Sequence, residues 1–452
     1  MDAPEDTPEA KKRILILGGG FAGAYTALHL EKILGGRPDV EVTLIARENF
    51  ILFTPMLHEV AGGDVEVTDI VYSLRNMLRH TQVTIADVEG IDLVKKQVRI
   101  AQDGLPQAFN MPYDQLVLAL GVVTNFYGNS SLEKHTLTMK TLGDAILVRN
   151  RTIYALGLAD NHSDKTERKT ALTVVVAGGG FAGVETAGAV NDLMRESLKF
   201  YRNLKRDMLR IVVVHGGEVL LPELSETLGH YTEKQLARRG IEVRLNTKVA
   251  DFDGNEVILG DGTKIATHML VWTAGITPPP LLSGLPCAIE RGRILVDECL
   301  QVPNWPGVWA LGDCALVPDP LNPGKYYPPT AQHATRQAAV LANNIVAAMR
   351  GQAPQPFKFK IIGMLATIGR RTGVAEIFGM RFSGLFAWWL WRSIYLSKLP
   401  GLQKKVRVAL DWILDMIFSK DLVELPTLRA TTISEVEQSS NPGRVRAVNS
   451  PR

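Results

Sequence analysis

Two stretches of the chain carry the same order of apolar and polar positions. Residues 13–17 form a short apolar run, the hexapeptide GGGFAG follows at Gly18 to Gly23, and apolar residues then recur at Ala24, Ala27, Leu28, Leu30 and Leu34. An unbroken apolar run of that length suits a parallel strand covered on both faces, and steps of three and four put the later residues on one side of a helix. The pattern predicts strand, glycine turn, helix. It returns at 172–177, followed by a second GGGFAG at Gly178 to Gly183 and by the small residues Ala187, Gly188 and Ala189.

That order of elements is what a dinucleotide needs. Gly18 and Gly178 permit a tight turn, Gly20 and Gly180 let backbone approach a pyrophosphate, and Gly23 and Gly183 let helix pack on strand. Phe21 and Ala22, like Phe181 and Ala182, open helices whose first N–H groups face the phosphate charge. The likeness continues downstream. QVRIAQDG and DQLVLALG, reaching Ala119 and Gly121, are matched by EVILGDG and THMLVWTAG, reaching Ala274 and Gly275. Each reads as a strand and turn followed by an apolar strand, so a whole α/β domain plan is duplicated.

Further on, an apolar strand at 308–311 delivers Gly312 and Asp313 to its end, where a carboxylate can accept a hydrogen bond from a ribityl hydroxyl. Pro328 and Pro329 before Thr330 signal the start of a helix, whose positive end carries the N–H groups of Ala331, Gln332 and His333. Residues 159–170 read as an exposed loop.

Composition changes this picture little. The 452 residues are 46% hydrophobic and 21% charged, with a formal net charge of +3, enough for two or three domains and no indication of a nucleic-acid partner. Cys287, Cys299 and Cys314 form no CxxC pair, which speaks against a disulfide framework or a dithiol centre. No metal site is expected. Residues 1–11 read as a disordered leader, without the basic start and apolar stretch of a secretory signal, and 426–452 as a disordered polar tail.

The segment from Ser383 to Lys420 is different in kind. Trp388, Trp389, Trp391 and Trp412 stand among Arg392, Lys398, Lys404, Lys405 and Arg407, and Leu402, Val406, Leu410, Ile413 and Ile417 share one helical face. Arg392 interrupts the apolar run, which is too short to span a bilayer. Aromatic rings, cations and an apolar face together suit a helix lying in a membrane surface, and the same face would serve a homodimer.

In sequence order, ILILGGGFAGAYTAL, LVLALG, VVVAGGGFAGVETAG, VWTAGI, VWALGDCA and PPTAQHATRQA resemble the two-dinucleotide flavoprotein reductases. The stretch from Phe359 to Leu396 narrows the resemblance to the type II NADH:quinone oxidoreductases, single-chain respiratory dehydrogenases that do not pump protons; it covers about residues 12–425. The implied fold is two Rossmann-like domains, one for FAD and one for NAD(P)H inserted in it, followed by amphipathic membrane-surface helices. The implied boundaries are 12–138 and 285–352 for FAD, 139–284 for NAD(P)H and 353–425 for membrane association.

The resemblance also implies roles. FAD, held non-covalently, takes a hydride from NADH and a membrane quinone takes the electrons, in a homodimer on the cytoplasmic face of the cell (inner) membrane. Glu185, in GVETAG, lies near the reacting rings and influences hydride transfer and the quinone side; a first-turn acid is also favoured by the helix dipole alone. Gln332 lines the quinone side. Phe53, Thr54 and Pro55 wall the flavin. His58 and Glu59 suggest proton donors to quinone or, as blandly, a pair on a helix surface.

Three positions depart from the family pattern. Ala46 stands where an acid usually holds the first ribose, leaving Glu48 as a substitute or Arg47 as a phosphate contact. His215 replaces the Glu of NADH-selective relatives, which removes repulsion against a 2'-phosphate and leaves NADPH open beside NADH. Arg336 stands where Gln is frequent. A related NAD(P)H-dependent reductase with a non-quinone acceptor is the alternative. The cysteine spacing does not suit a sulfide or disulfide reductase; a redox-silent nucleotide-binding protein could keep the two glycine loops, Asp313, Glu185 and the C-terminal segment, but their combination speaks against it.

Overall fold

The computed structural model describes residues 11–425 except 103 and 106. The expected leader, save Lys11, and the expected tail lie outside the described residues. Strand Lys12–Leu17 pairs in parallel with Val40–Ala46 on one side and Gln115–Leu118 on the other. Adding Gln82–Ile85 and Val308–Ala310 at the edges gives a five-stranded parallel sheet. Helices Phe21–Leu34 and Ala331–Met349 pack in its core, and Val98 and Ile100 of an antiparallel meander share that core, which is why Ile14, Ile16, Leu17, Leu44, Leu116 and Val117 are all apolar and buried.

The second sheet repeats the first strand for strand. Thr173–Ala177 is central, flanked by Arg210–Val214 and Met269–Trp272, with Ile241–Arg244 and Leu137–Thr138 outermost, all parallel. Each sheet also carries a three-stranded antiparallel meander: Asp87–Asp92, Gln97–Ala101 and Phe109–Pro112 in the first copy, Val249–Phe252, Glu256–Leu259 and Lys264–Ala266 in the second. The chain crosses out of the first copy and back along a short antiparallel pair, Val123–Thr124 with Ile276–Thr277. It then returns Val308–Ala310 to the first sheet beside Gln115–Leu118. The second copy is thus inserted in the first.

The stretch 159–170 is not a loop. Helix Leu142–Asn161 runs into it, and helix Lys165–Ala171 begins inside it, capped by the Asp164 carboxylate accepting from the N–H groups of Thr166 and Glu167. The polar letters that resembled a loop are a cap and a solvated helix face.

The C-terminal part forms a small antiparallel sheet, Gly363–Thr367, Gly373–Ile377 and Met380–Ser383, and two helices, Gly384–Lys398 and Leu402–Ile417. Ala366, Ile368, Trp391 and Val408 share one buried cluster with Val174, Val184 and Val190 of the second copy. Among the described residues no helix is long and apolar enough to cross a membrane.

Candidate active site

The two glycine loops have the same geometry. Gly18 and Gly178 both take φ +114°, a conformation that disfavours a side chain. A Cβ on Gly23 would lie 1.9 Å from Gly18 O, and one on Gly183 would lie 1.9 Å from Gly178 O, so helix and strand touch through bare backbone at both places. Gly20, in contrast, has nothing within 4 Å in front of it. Helices Phe21–Leu34 and Phe181–Ser197 start at Gly20 and Gly180 without a side-chain cap. Backbone pairing resumes only at Ala24 and Val184, which leaves the N–H groups of Phe21, Ala22, Gly23, Phe181, Ala182 and Gly183 without protein acceptors among the described residues. An open loop with three convergent donors fits a pyrophosphate.

The strand ends beside the loops differ from each other. Ala46 comes to 2.7 Å of a Cβ placed on Gly19, while Arg47 turns away into an exposed ion pair with Asp87 at 2.7 Å. Arg47 is therefore engaged outside the loop and not poised over it. His215 folds back on the second loop, its Nδ1 accepting the Gly179 N–H at 3.1 Å. Burial pushes its pKa down, and a proton on Nε2 completes the neutral ring. The stem of Lys248, which sequence reading missed, lies over Gly216, with its Cε 3.0 Å from a Cβ placed there.

Beside the first loop, Ala119 O lies 2.2 Å from a Cβ placed on Gly18, and Gly121 takes φ +64°. The matching Gly275 is crowded instead by Tyr127, whose hydroxyl donates to Ala274 O at 3.1 Å. Asp313 follows Gly312, which takes φ +72° and donates its N–H to Gln337 Oε1 at 2.8 Å. Burial raises the Asp313 pKa and the charge of Lys140 opposes the rise. Lys140 carried no motif signal.

Helix Ala331–Met349 begins as expected, with the Thr330 hydroxyl as its cap. One expectation is corrected. The His333 N–H donates to Thr330 Oγ1, and its buried ring stacks near Tyr327 and Phe359, so only Ala331 and Gln332 present first-turn N–H groups outward. Gln332 Nε2 donates to Gly363 O at 2.7 Å, tying this helix to the C-terminal sheet. Arg336 lies over the Phe359 ring at 4.2 Å. The glycine cradle, the two free N–H groups and Asp313 fit FAD at the first loop.

Between the copies and the C-terminal part sits a buried polar cluster that the sequence did not reveal. The turn Thr54–Met56, with Thr54 exposed and Pro55 half-buried, leads into the short helix Leu57–Gly62. His58 and Glu59 on that helix are buried, which removes the reading of a surface pair. Gly188 lets the turn after Thr367 approach, since a Cβ there would meet Gly369 N at 2.7 Å. Thr367 thereby reaches Glu185, donating its N–H to Oε1 at 3.2 Å. Glu185 Oε2 lies 3.4 Å from His58 Nδ1. Burial drives the Glu185 pKa well up and the His58 pKa down to about 3, so both groups favour their neutral forms. Glu59 accepts from the Trp412 indole N–H, and burial raises it to about 7 against the opposing charge of Arg392.

The tryptophans also depart from the expected membrane-facing belt. Trp388, Trp391 and Trp412 are buried, and Arg392 is itself buried with its guanidinium 4.0 Å from the Trp388 ring and 4.6 Å from that of Trp412. Trp391 and Trp412 therefore roof the Glu185 cluster, and Trp388 packs on Arg392 instead of facing outward; of the four, Trp389 alone is exposed. The apolar stripe is exposed as expected: Leu402, Val406, Leu410, Ile413 and Ile417 all face solvent.

Two dinucleotide loops on duplicated parallel sheets, without a cysteine pair, define a two-dinucleotide flavoprotein reductase. Residues 12–338 match the model of the pyridine nucleotide-disulphide oxidoreductase family, and residues 362–421 match the NDH2 C-terminal domain. Over 425 residues the chain is 32% identical to the type II NADH:quinone oxidoreductase Ndh of Mycobacterium tuberculosis, covering 90% of this chain and 89% of the relative. It is 30% identical to a probable NADH dehydrogenase of Dictyostelium discoideum, covering 91% of each. NDH2 from Plasmodium falciparum in complex with NADH superposes with a TM-score of 0.84 at 22% identity, covering 91% of this chain and all of that one, a likeness of fold. The chain belongs to the type II NADH:quinone oxidoreductases, FAD enzymes that oxidise NADH and reduce a quinone.

Proposed function

We propose that the first glycine loop, Asp313 and the start of helix Ala331–Met349 hold FAD, that the second loop holds the nicotinamide nucleotide, and that Glu185 stands where the reacting rings meet. FAD, when bound, accepts the hydride and passes the electrons on. The remaining chemistry belongs to the chain. Helix N-termini at Gly20 and Gly180 bind pyrophosphate. The N–H groups of Ala331 and Gln332 would offer hydrogen-bond donors to negative charge on a bound flavin. Phe53 walls the site, with Tyr395 edge-on at 6.1 Å, and the indole roof excludes water. Burial favours the protonated form of Glu185, whose O–H can donate.

The enzyme works on the cytoplasmic face of the cell membrane, as a homodimer. The exposed stripe of helix Leu402–Ile417 supports the membrane contact in this reading: five large aliphatic residues on one face, with Lys398, Lys405 and Arg407 close by, suit an apolar surface bordered by anionic headgroups. NADPH is accepted as well as NADH. His215 removes the carboxylate that would repel a 2'-phosphate, and Lys248 supplies a cation beside Gly216.

Anaerobic stopped-flow absorbance tests the reading. NADH and NADPH should each bleach the oxidised flavoprotein, and a short-chain quinone should restore the absorbance. With His215→Glu, bleaching by NADPH should weaken about tenfold relative to NADH, the effect of one like-charge contact. Equal loss with both nucleotides would remove His215 and Lys248 from nucleotide choice. Bleaching without reoxidation by quinone would make the acceptor something else.

A further inference from the structure

Glu185 is held at both oxygens, and the residue that holds one of them is held in turn. His58 Nδ1 lies 3.4 Å from Glu185 Oε2, His58 Nε2 lies 3.0 Å from Thr367 Oγ1, and the Thr367 N–H lies 3.2 Å from Glu185 Oε1. Three segments far apart in sequence close this ring, and the side chains of His58 and Glu185 are only 7% and 9% exposed. The Trp391 ring stands edge-on to the imidazole at 5.4 Å and fixes its plane. Neither nitrogen of His58 is left for solvent. Both nitrogens of this buried imidazole are committed to the ring of contacts.

The reaction creates a use for it. NADH delivers two electrons and one hydrogen, whereas a quinone becoming a quinol takes two electrons and two protons. One proton per turnover must come from water by way of the protein. We propose that His58 and Glu185 act as one proton-holding unit, in which His58 positions the Glu185 carboxyl group and accepts its O–H, and the unit gives a proton to the quinone oxygen. The proposal rests on the quinone reading above.

In the resting unit the Glu185 O–H donates to His58 Nδ1, and His58 Nε2–H donates to Thr367 Oγ1. On transfer, the Glu185 O–H bond breaks and a new O–H bond forms on the quinone, whose electrons are those taken from NADH. A carboxylate would then face the bare lone pair of Nδ1. A proton drawn from water removes that repulsion and restores the unit. The other titratable groups facing the unit are Glu59, next to His58 on the same short helix, and Tyr395 from helix Gly384–Lys398. Glu59 raises Glu185 by its charge, and Glu185 together with burial raises the Tyr395 phenol. Arg392 and Asp64 act on the unit only through Glu59.

His58 is a positioning residue, so its test compares half-reactions. Wild type, His58→Phe, His58→Asn, Glu185→Gln and the double variant His58→Phe/Glu185→Gln are each reduced by NADH and reoxidised by a short-chain quinone, after flavin content has shown that they fold. His58→Phe should slow reoxidation by about tenfold or more, and slow it more than reduction. His58→Asn, which keeps a polar atom near Nδ1, should recover part of the loss. The double variant should be no slower than the slower single variant, because both remove the same unit. The pH dependence of reoxidation should move in His58→Phe and vanish in Glu185→Gln. Multiplicative losses in the double variant, or equal rates for Asn and Phe at position 58, would overturn the proposal. If wild type itself is not reoxidised by quinone, the quinone reading falls and the proposal falls with it.

Discussion

Adding one methyl group to each of two equivalent glycines should separate the two nucleotide sites. In Gly23→Ala the new Cβ would lie 1.9 Å from Gly18 O and 3.1 Å from Gly18 C, both backbone atoms. Non-bonded contacts to carbon settle at about 3.5 Å, so helix Phe21–Leu34 must withdraw from its strand by on the order of 1 Å. Overpacking of this kind costs about 1–3 kcal/mol. The withdrawal also misaligns the N–H groups of Phe21, Ala22 and Gly23, and losing about 3 kcal/mol of charge-assisted hydrogen bonding weakens flavin binding on the order of 100-fold. Gly183→Ala meets the same 1.9 Å clash at Gly178 O, plus Thr273 Oγ1 at 2.8 Å. It should leave flavin in place and weaken the nicotinamide nucleotide by a similar factor. Gly157→Ala, in a helix interior with nothing within 4 Å, is the control and should stabilise by about 0.5–1 kcal/mol. The assay is the ratio of flavin to protein absorbance after dialysis, followed by titration of bleaching with NADH. If Gly183→Ala sheds flavin while Gly23→Ala keeps it, the loops are assigned the wrong way round. If both keep both ligands, the loops do not hold pyrophosphate.

Two further outcomes follow from the C-terminal roof and stripe. Burial raises Glu59 to about 7 from its ordinary 4.5, so its contribution to stability is fully present below pH 4.5 and is lost as pH rises through 7. Glu59→Gln escapes that loss, so its thermal midpoint should rise relative to wild type between pH 5 and pH 8; a difference independent of pH would mean that Glu59 titrates normally. On helix Leu402–Ile417, Leu410→Glu with Ile413→Glu removes two exposed aliphatic anchors worth about 2 kcal/mol each in an apolar phase. The double variant should lose cosedimentation with anionic vesicles while keeping flavin and its reduction by NADH. Unchanged cosedimentation would assign the stripe to contact between copies of the chain.

The elements that the sequence made legible are those whose cause is local. A strand covered on both faces must be apolar throughout, and a helix N-terminus that approaches phosphate must have glycine where a Cβ would strike backbone. Gly18 and Gly23 and their counterparts Gly178 and Gly183 therefore show in the letters, as do Thr330 capping a helix and the stripe from Leu402 to Ile417. Local reading failed at 159–170, where Asp164 and its polar neighbours are a cap and a helix face. Polar composition alone does not distinguish these from a loop.

What tertiary structure decided is which distant residues share a low-dielectric space. His58, Glu185 and Thr367 meet only because Gly188 admits the turn at Gly369 and the C-terminal helices close over them. The same closure turned Trp388, Trp391 and Trp412 inward, against a sequence that reads as an interfacial belt. Lys140 came to face Asp313, and Lys248 came to lie over Gly216, with no motif to announce either. Hydrophobic period and backbone sterics are properties of neighbouring residues and can be read along the chain. Burial of a charge and the pairing of two titratable groups depend on everything packed around them, so they exist only once the chain has folded.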